Sequence, residues 1–257
     1  IQNTPAWAYQ KSDRGMIEQA HSTGLMVRAH DLPFATGLGY LVFTQGGEMY
    51  PSNSGVAGVE VRYAIRALYQ SHYWERYFGD KWRSPDGSIV EDAIEVAFAR
   101  NLENQIGEVA DWGVALLSIH NPYLLDYVKK CLEIEVNMGY DGINFDLINT
   151  PGFGYWLGGD FSPWAEYKFR EYLSNTYSDK QLSSMGVRNL ADFSLRRYLL
   201  NRGYATRIRI DDPIVKTWSR FEYEAFDDFL RAIQDHVKAY AQSKGKDWFS
   251  VSGNVYN

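Results

Sequence analysis

The segment GYDGINFDLINT, residues 139–150, is an apolar run that carries a carboxylate near its end. Read as a strand, its side chains alternate between two faces. Ile143, Phe145 and Leu147 share one face, and Gly142, Asn144 and Asp146 share the other. An Asp at the polar end of a strand either caps the loop or helix that follows or faces a site where it can do chemistry. Three other strand-like segments have the same polarity. Leu25, Val27 and Ala29 oppose Met26, Arg28 and His30. Ala115, Leu117 and Ile119 oppose Val114, Leu116, Ser118 and His120. Phe249 and Val251 oppose Trp248, Ser250, Ser252 and Asn254. In each segment one face is apolar and the other turns polar toward the C-terminal end. Arg28, His30, His120, Asn144, Asp146 and Asn254 are therefore expected to converge.

The elements between these segments set where such a site lies. Residues 17–21 read as a helix stopped by Gly24, followed by a strand at 25–30. Residues 35–58 read as a long loop with a short extended piece near 40–43. Residues 59–78 and 88–110 have helical apolar spacing, with the turn signal SPDG at 84–87 between them. Asn121-Pro122 stops the strand at 114–120, and Pro122 opens a helix that runs to Gly139. Helices are expected at 164–177 and 213–243, with two short ones in the broken stretch 178–212, and the last strand at 248–254. This is the alternation of an α/β fold with a parallel sheet. Strands of an open parallel sheet, covered on both faces, read as continuous apolar runs. These alternate instead, so the expected fold is a (β/α) barrel of the TIM type, its polar strand ends and long following loops forming the mouth. The whole chain, 1–257, reads as a single domain.

Composition narrows the partners. Of 257 residues 45% are apolar and 23% charged, as in ordinary globular proteins. Aromatic residues make up 16%, with 19 Tyr and 8 Trp, which suits stacking on sugar rings as well as core packing. The net charge of −6 and the lack of a basic block argue against nucleic acid. The single cysteine, Cys131, permits no internal disulfide and reads as a small buried hydrophobe. No run of 18 apolar residues marks a membrane span. No G-x-S-x-G elbow, P-loop or G-x-G-x-x-G is present. The chain begins at Ile1 without Met and without a basic-then-apolar leader, so an N-terminal piece is expected to have been removed or never to have been part of this chain.

The order NPYLLDYV, a helix, then GYDGINFD resembles the (β/α)8-barrel glycoside hydrolases, which carry an NP strand end, a helix and then G-x-DGI-x-x-D. The strand ending in Asp146 is similar to the fourth strand of the α-galactosidase and α-fucosidase group, where an Asp at that place is the nucleophile. SPWAEYKFREYLSNTYS and the helix around Trp218 and Phe221 look like the stretch after strand four in β-galactosidase-like barrels. The resemblance extends over residues 15–257, and its specific part over 121–146. It implies that 25–30, 114–120, 142–148 and 248–254 are strands two to five. The chain would then hold about half a barrel, incomplete at both ends. Its expected partners are the remainder of its own barrel or a second copy, and an oligo- or polysaccharide.

The implied activity is a retaining O-glycosidase, extracellular or at the cell surface, with a cytoplasmic location left open and no cofactor. Such an enzyme needs two carboxyl groups flanking the scissile bond. Asp146 is the expected nucleophile. Glu48 in QGGEMY and Asp160 in GGDFSPW are candidates for the acid/base, although both also read as solvated loop residues. Arg28, His30, His120, Asn144 and Asn254 are candidates for binding hydroxyls, and Tyr155, Trp156 and Trp164 for stacking on sugar rings. Two other readings stay open. One is a noncatalytic carbohydrate-binding or structural surface protein of barrel-like fold. The other is a metal-assisted hydrolase using His30, His120 and Asp146.

Overall fold

Three helices of this chain begin with the same local chemistry, a polar residue followed by proline. In the computed structural model, which describes residues 10–31, 35–37, 83–90, 96, 98–105, 108–109, 114–145, 160–204 and 211–253, each pair opens a helix. Helix α1 (Gln10–Ser22) comes first and ends at Gly24, whose φ of +80° suits glycine. Helix α2 (Pro122–Met138) is capped by Asn121, whose side chain accepts from the Tyr123 amide, and it ends at Gly139 with φ +112°. Helix α3 (Pro163–Thr176) is capped by Ser162, and the short helices α4 (Asp179–Ser184) and α5 (Leu195–Asn201) follow. Helix α6 (Pro213–Ser243) is capped by Asp212, which accepts from the Ile214 amide at 3.0 Å. The cap oxygen satisfies an orphan amide, and the proline gives up an N–H that has no helical partner.

Strands β1 (Arg28–Asp31), β5 (Gly142–Phe145) and β6 (Ser250–Gly253) form one parallel sheet in the order β1–β5–β6. Parallel neighbours need crossover connections, and here α3 to α6 lie between β5 and β6. Strands β2 (Ala35–Gly37), β3 (Glu108–Val109) and β4 (Val114–Leu116) form a separate antiparallel sheet in the order β2–β4–β3.

The structure departs from several expectations of the sequence. The strand around 114–120 does not separate 25–30 from 142–148, because β1 pairs directly with β5. Only its first three residues are strand; Leu117 makes an isolated antiparallel bridge to Phe98. Within the expected helix 88–110, the described residues 98–105 and 108–109 are not helical: they contain that bridge, a turn from Asn101 to Gln105, and β3. Leu25 and Met26 precede the strand and are exposed. The region 40–78 lies outside the described residues. Among the described residues the parallel sheet has three strands, and no helix is long and apolar enough to cross a membrane.

Two hydrophobic cores share α6. The first packs Ala29, Ile143 and Phe145 of the parallel sheet, with Phe98 and Leu117, against α2 and the second half of α6, through Phe229, Ile233, Val237 and Ala241. The second packs α3, α4 and α5 against the first half of α6, through Ile214, Val215, Trp218 and Phe221. At 31 residues, α6 is long enough to serve both, since at 1.5 Å per residue it spans about 46 Å.

The base of the parallel sheet is fastened by Asp141. Its Oδ2 accepts from the Val27 amide and from His21 Nε2, both at 2.8 Å. Lys246 donates to the carbonyls of Gly139 and Tyr140 and lies 3.9 Å from Asp141 Oδ1. One carboxylate thus joins the end of α1, the start of β1 and the turn before β6. Partial burial pushes the Asp141 carboxyl up, but the Val27 amide, His21 and Lys246 together hold it below the ordinary Asp value. Next to it, Gly142 lets β6 approach: a Cβ there would lie 2.0 Å from Ser250 Oγ and 2.6 Å from the Ser250 carbonyl oxygen.

Two outcomes are expected. Gly142→Ala forces β5 and β6 apart and lowers unfolding stability by roughly 1–3 kcal/mol, the usual scale of overpacking, as read by urea denaturation. Asp141→Asn lowers the melting temperature near neutrality. Because the folded carboxyl titrates below its unfolded value, the gap from wild type is full above the ordinary Asp range and closes as the pH falls through the folded value.

Candidate functional site

The register of the parallel sheet aligns residues that are far apart in sequence. His30, Asn144 and Ser252 form one rung across β1, β5 and β6, and Arg28, Gly142 and Ser250 form the rung two residues earlier. Ser252 Oγ donates to Asn144 Oδ1 at 2.9 Å, so neighbouring strands share one polar face. Asn144 and Ser252 thus share the face on which the alternation puts them. Arg28 departs from expectation. It starts β1 and is exposed, so it needs no buried carboxylate partner. Asp146, Glu48, Tyr155, Trp156 and Asn254 lie outside the described residues, and His30 is placed by its register alone.

A second polar group is buried just beyond β4. Ser118, His120 and Asn121 are 0%, 6% and 0% exposed. Asn121 Nδ2 donates to the Val96 carbonyl at 2.8 Å while its oxygen caps α2. His120 Nε2 faces both oxygens of Glu222 on α6, at 3.1 and 3.2 Å. Trp218 Nε1 donates to the same Glu222 at 3.0 Å, one helical turn away. The imidazole stacks on Phe221, with ring centroids 4.7 Å apart and planes 10° from parallel. Burial by itself pushes the His120 imidazole down. The charge and hydrogen bond of Glu222, aided by the charge of Asp160, reverse this against Lys168 and leave it above the ordinary His value.

Asp160 belongs to this group and is not a solvated loop residue. It is 9% exposed. Its Oδ1 accepts from the Ser162 amide at 2.8 Å and from the Arg100 amide at 3.3 Å, while Oδ2 has no hydrogen-bond partner among the described residues. Phe161 N–H donates to the Arg100 carbonyl, and the hydroxyls of Ser118 and Ser162 lie 3.0 Å apart. The entry to α3 is therefore tied to residue 100 and to the segment after β4. Trp164 is half-buried; its Nε1 donates to the Arg83 carbonyl and its ring meets Tyr123 and Tyr167 edge-on. That role is packing of the α3 entry.

Glu222 is the residue that sequence reasoning passed over. It stands among Glu224, Asp227 and Asp228, where a carboxylate on a helix reads as part of a solvated face. The available signal was Trp218 four residues earlier, with Phe221 between them. Among the described residues no group of three His, Cys, Asp or Glu is arranged to hold a metal ion. His120 gives its Nε2 to Glu222.

No protein-family model matches this chain, and no solved structure matches it. Two curated relatives share a part of it. Over 90 residues, 34% of its length, the chain is 32% identical to "Alpha-agarase" of Alteromonas agarilytica. Over 90 residues it is 29% identical to "Alpha-agarase" of Thalassotalea agarivorans. The matched stretch spans 6% of the length of each relative, and a third of this chain is thus similar to a small part of a glycoside hydrolase.

The arrangement around Asp160 makes a direct prediction. Asp160→Ala leaves the Ser162 and Arg100 amides without their acceptor and costs about 1–3 kcal/mol. Asp160→Asn keeps an acceptor for both and costs less. Guanidinium denaturation of the two variants beside wild type reads the difference.

Proposed function

We propose that this chain is part of a glycoside hydrolase that acts on an agar-type polysaccharide. The observation that carries this reading is the partial similarity to two alpha-agarases. The polar rung of Asn144 and Ser252 supports it, because Asp146 follows Asn144 by two residues in an alternating sequence. In this reading the parallel sheet is a sector of a (β/α) barrel, completed by polypeptide beyond the described residues. Asp146 is the nucleophile of a retaining mechanism, and Asn144 and His30 bind sugar hydroxyls beside it. The second carboxyl, about 5–5.5 Å from the first in a retaining enzyme, donates the proton to the leaving oxygen. Glu48 is the candidate within this chain, since Asp160 spends one oxygen on backbone amides. A polysaccharide substrate places the reaction outside the cytoplasm or at the cell surface.

In the protein that carries this chain, Asp146→Asn is expected to reduce release of reducing ends from agarose by on the order of 10³-fold or more. The melting temperature and the retention of substrate on an agarose column should stay close to wild type. Full turnover in that variant removes Asp146 from the mechanism. An absence of turnover in wild type on agarose and on related galactans removes the substrate assignment.

A further inference from the structure

We propose that Glu222 and His120 form a proton-operated latch between the two hydrophobic cores. The inference goes beyond the glycosidase reading and does not depend on it. His120 follows Leu117 and Ile119, which pack in the first core. Its ring stacks on Phe221, which belongs to the second. Its Nε2 reaches Glu222, which hangs from the helix common to both. Asp160, held by the Arg100 and Ser162 amides, adds its charge. The segment after β4 and α6 therefore meet at one imidazole, and the Ser118–Ser162 hydroxyl contact ties that segment to the entry of α3.

The charges around that ring favour its protonated form. Glu222 faces it from α6, Asp160 from the α3 entry, and Lys168 opposes them from α3 itself. Two carboxylates against one ammonium leave an anionic surplus that an imidazolium neutralises. A buried charge left without its partner is costly, so loss of this proton weakens the contact rather than leaving it unchanged. Glu222 would then keep Trp218 Nε1 and a neutral imidazole N–H, without the counter-charge. Since the folded imidazole titrates above its unfolded value, the latch contributes fully below the ordinary His range. That contribution is lost as pH rises through the folded value.

The test uses thermal unfolding of the whole chain from about pH 5 to pH 10, a range that brackets ordinary His titration, for wild type, Glu222→Gln and His120→Gln. The latch requires wild type to melt higher than both variants at the acid end and the gap to close at the alkaline end. A gap that is constant with pH, or that widens as pH rises, overturns it. If the variants do not fold, the C2 proton of His120 in the unmodified protein is followed by NMR. Titration above the ordinary His value supports the latch, and titration at or below that value overturns it.

Discussion

Both cores of this protein are organised by one helix. The first half of α6 offers Ile214, Val215, Trp218 and Phe221 to the helices α3 to α5, and the second half offers Phe229, Ile233, Val237 and Ala241 to α2 and the sheet. The steps of three and four keep these residues on one stripe. Each fully buried aliphatic or aromatic side chain is worth roughly 1.5–3 kcal/mol. Exposed ion pairs such as Lys168–Glu171 and Asp227–Arg231 contribute far less. The position of the parallel sheet relative to α3 thus follows from α6 being straight enough and long enough to hold both.

A shared helix creates a problem where its two apolar halves meet. Phe226 is buried between Phe221 and Phe229, and Glu222 stands beside Phe221 where the two halves meet. A carboxylate there would lose solvation unless donors met it. Trp218 Nε1 and His120 Nε2 are those donors, and Phe221 covers the imidazole face. The seam is therefore polar but satisfied on the Glu222 side, and carries its unpaired atom on the Asp160 side. This asymmetry is what makes the seam responsive to a proton while the cores on either side remain indifferent to it.

Local chemistry was legible in the sequence and pairing was not. Asn121-Pro122, Ser162-Pro163 and Asp212-Pro213 are each two-residue signals, and the helices they open lie where the apolar spacing puts them. Alternation correctly set Asn144 and Ser252 on one polar face. The stretch 88–110 has helical apolar spacing, yet Phe98 within it pairs with Leu117, and nothing near it in the chain encodes that partner. The direct contact of β1 with β5 is of the same kind. Arg28 shows the limit of alternation: it fixes which residues share a face but not how far down a strand that face stays covered.

The same distinction bears on the run D-G-I-x-x-D. Asp141 accepts from Val27 and His21 at the base of the sheet, and Gly142 is required by the approach of Ser250. Ile143 is fully buried, Phe145 nearly so, and Asn144 is bonded to Ser252. Five successive positions are thus explained by how a parallel sheet is fastened at one end and packed on one face. A sequence match across them reports sheet construction, and barrels of different chemistry, or of none, would meet the same demands. Any claim about reaction has to rest on the residue that follows, Asp146, and on a second carboxyl to oppose it.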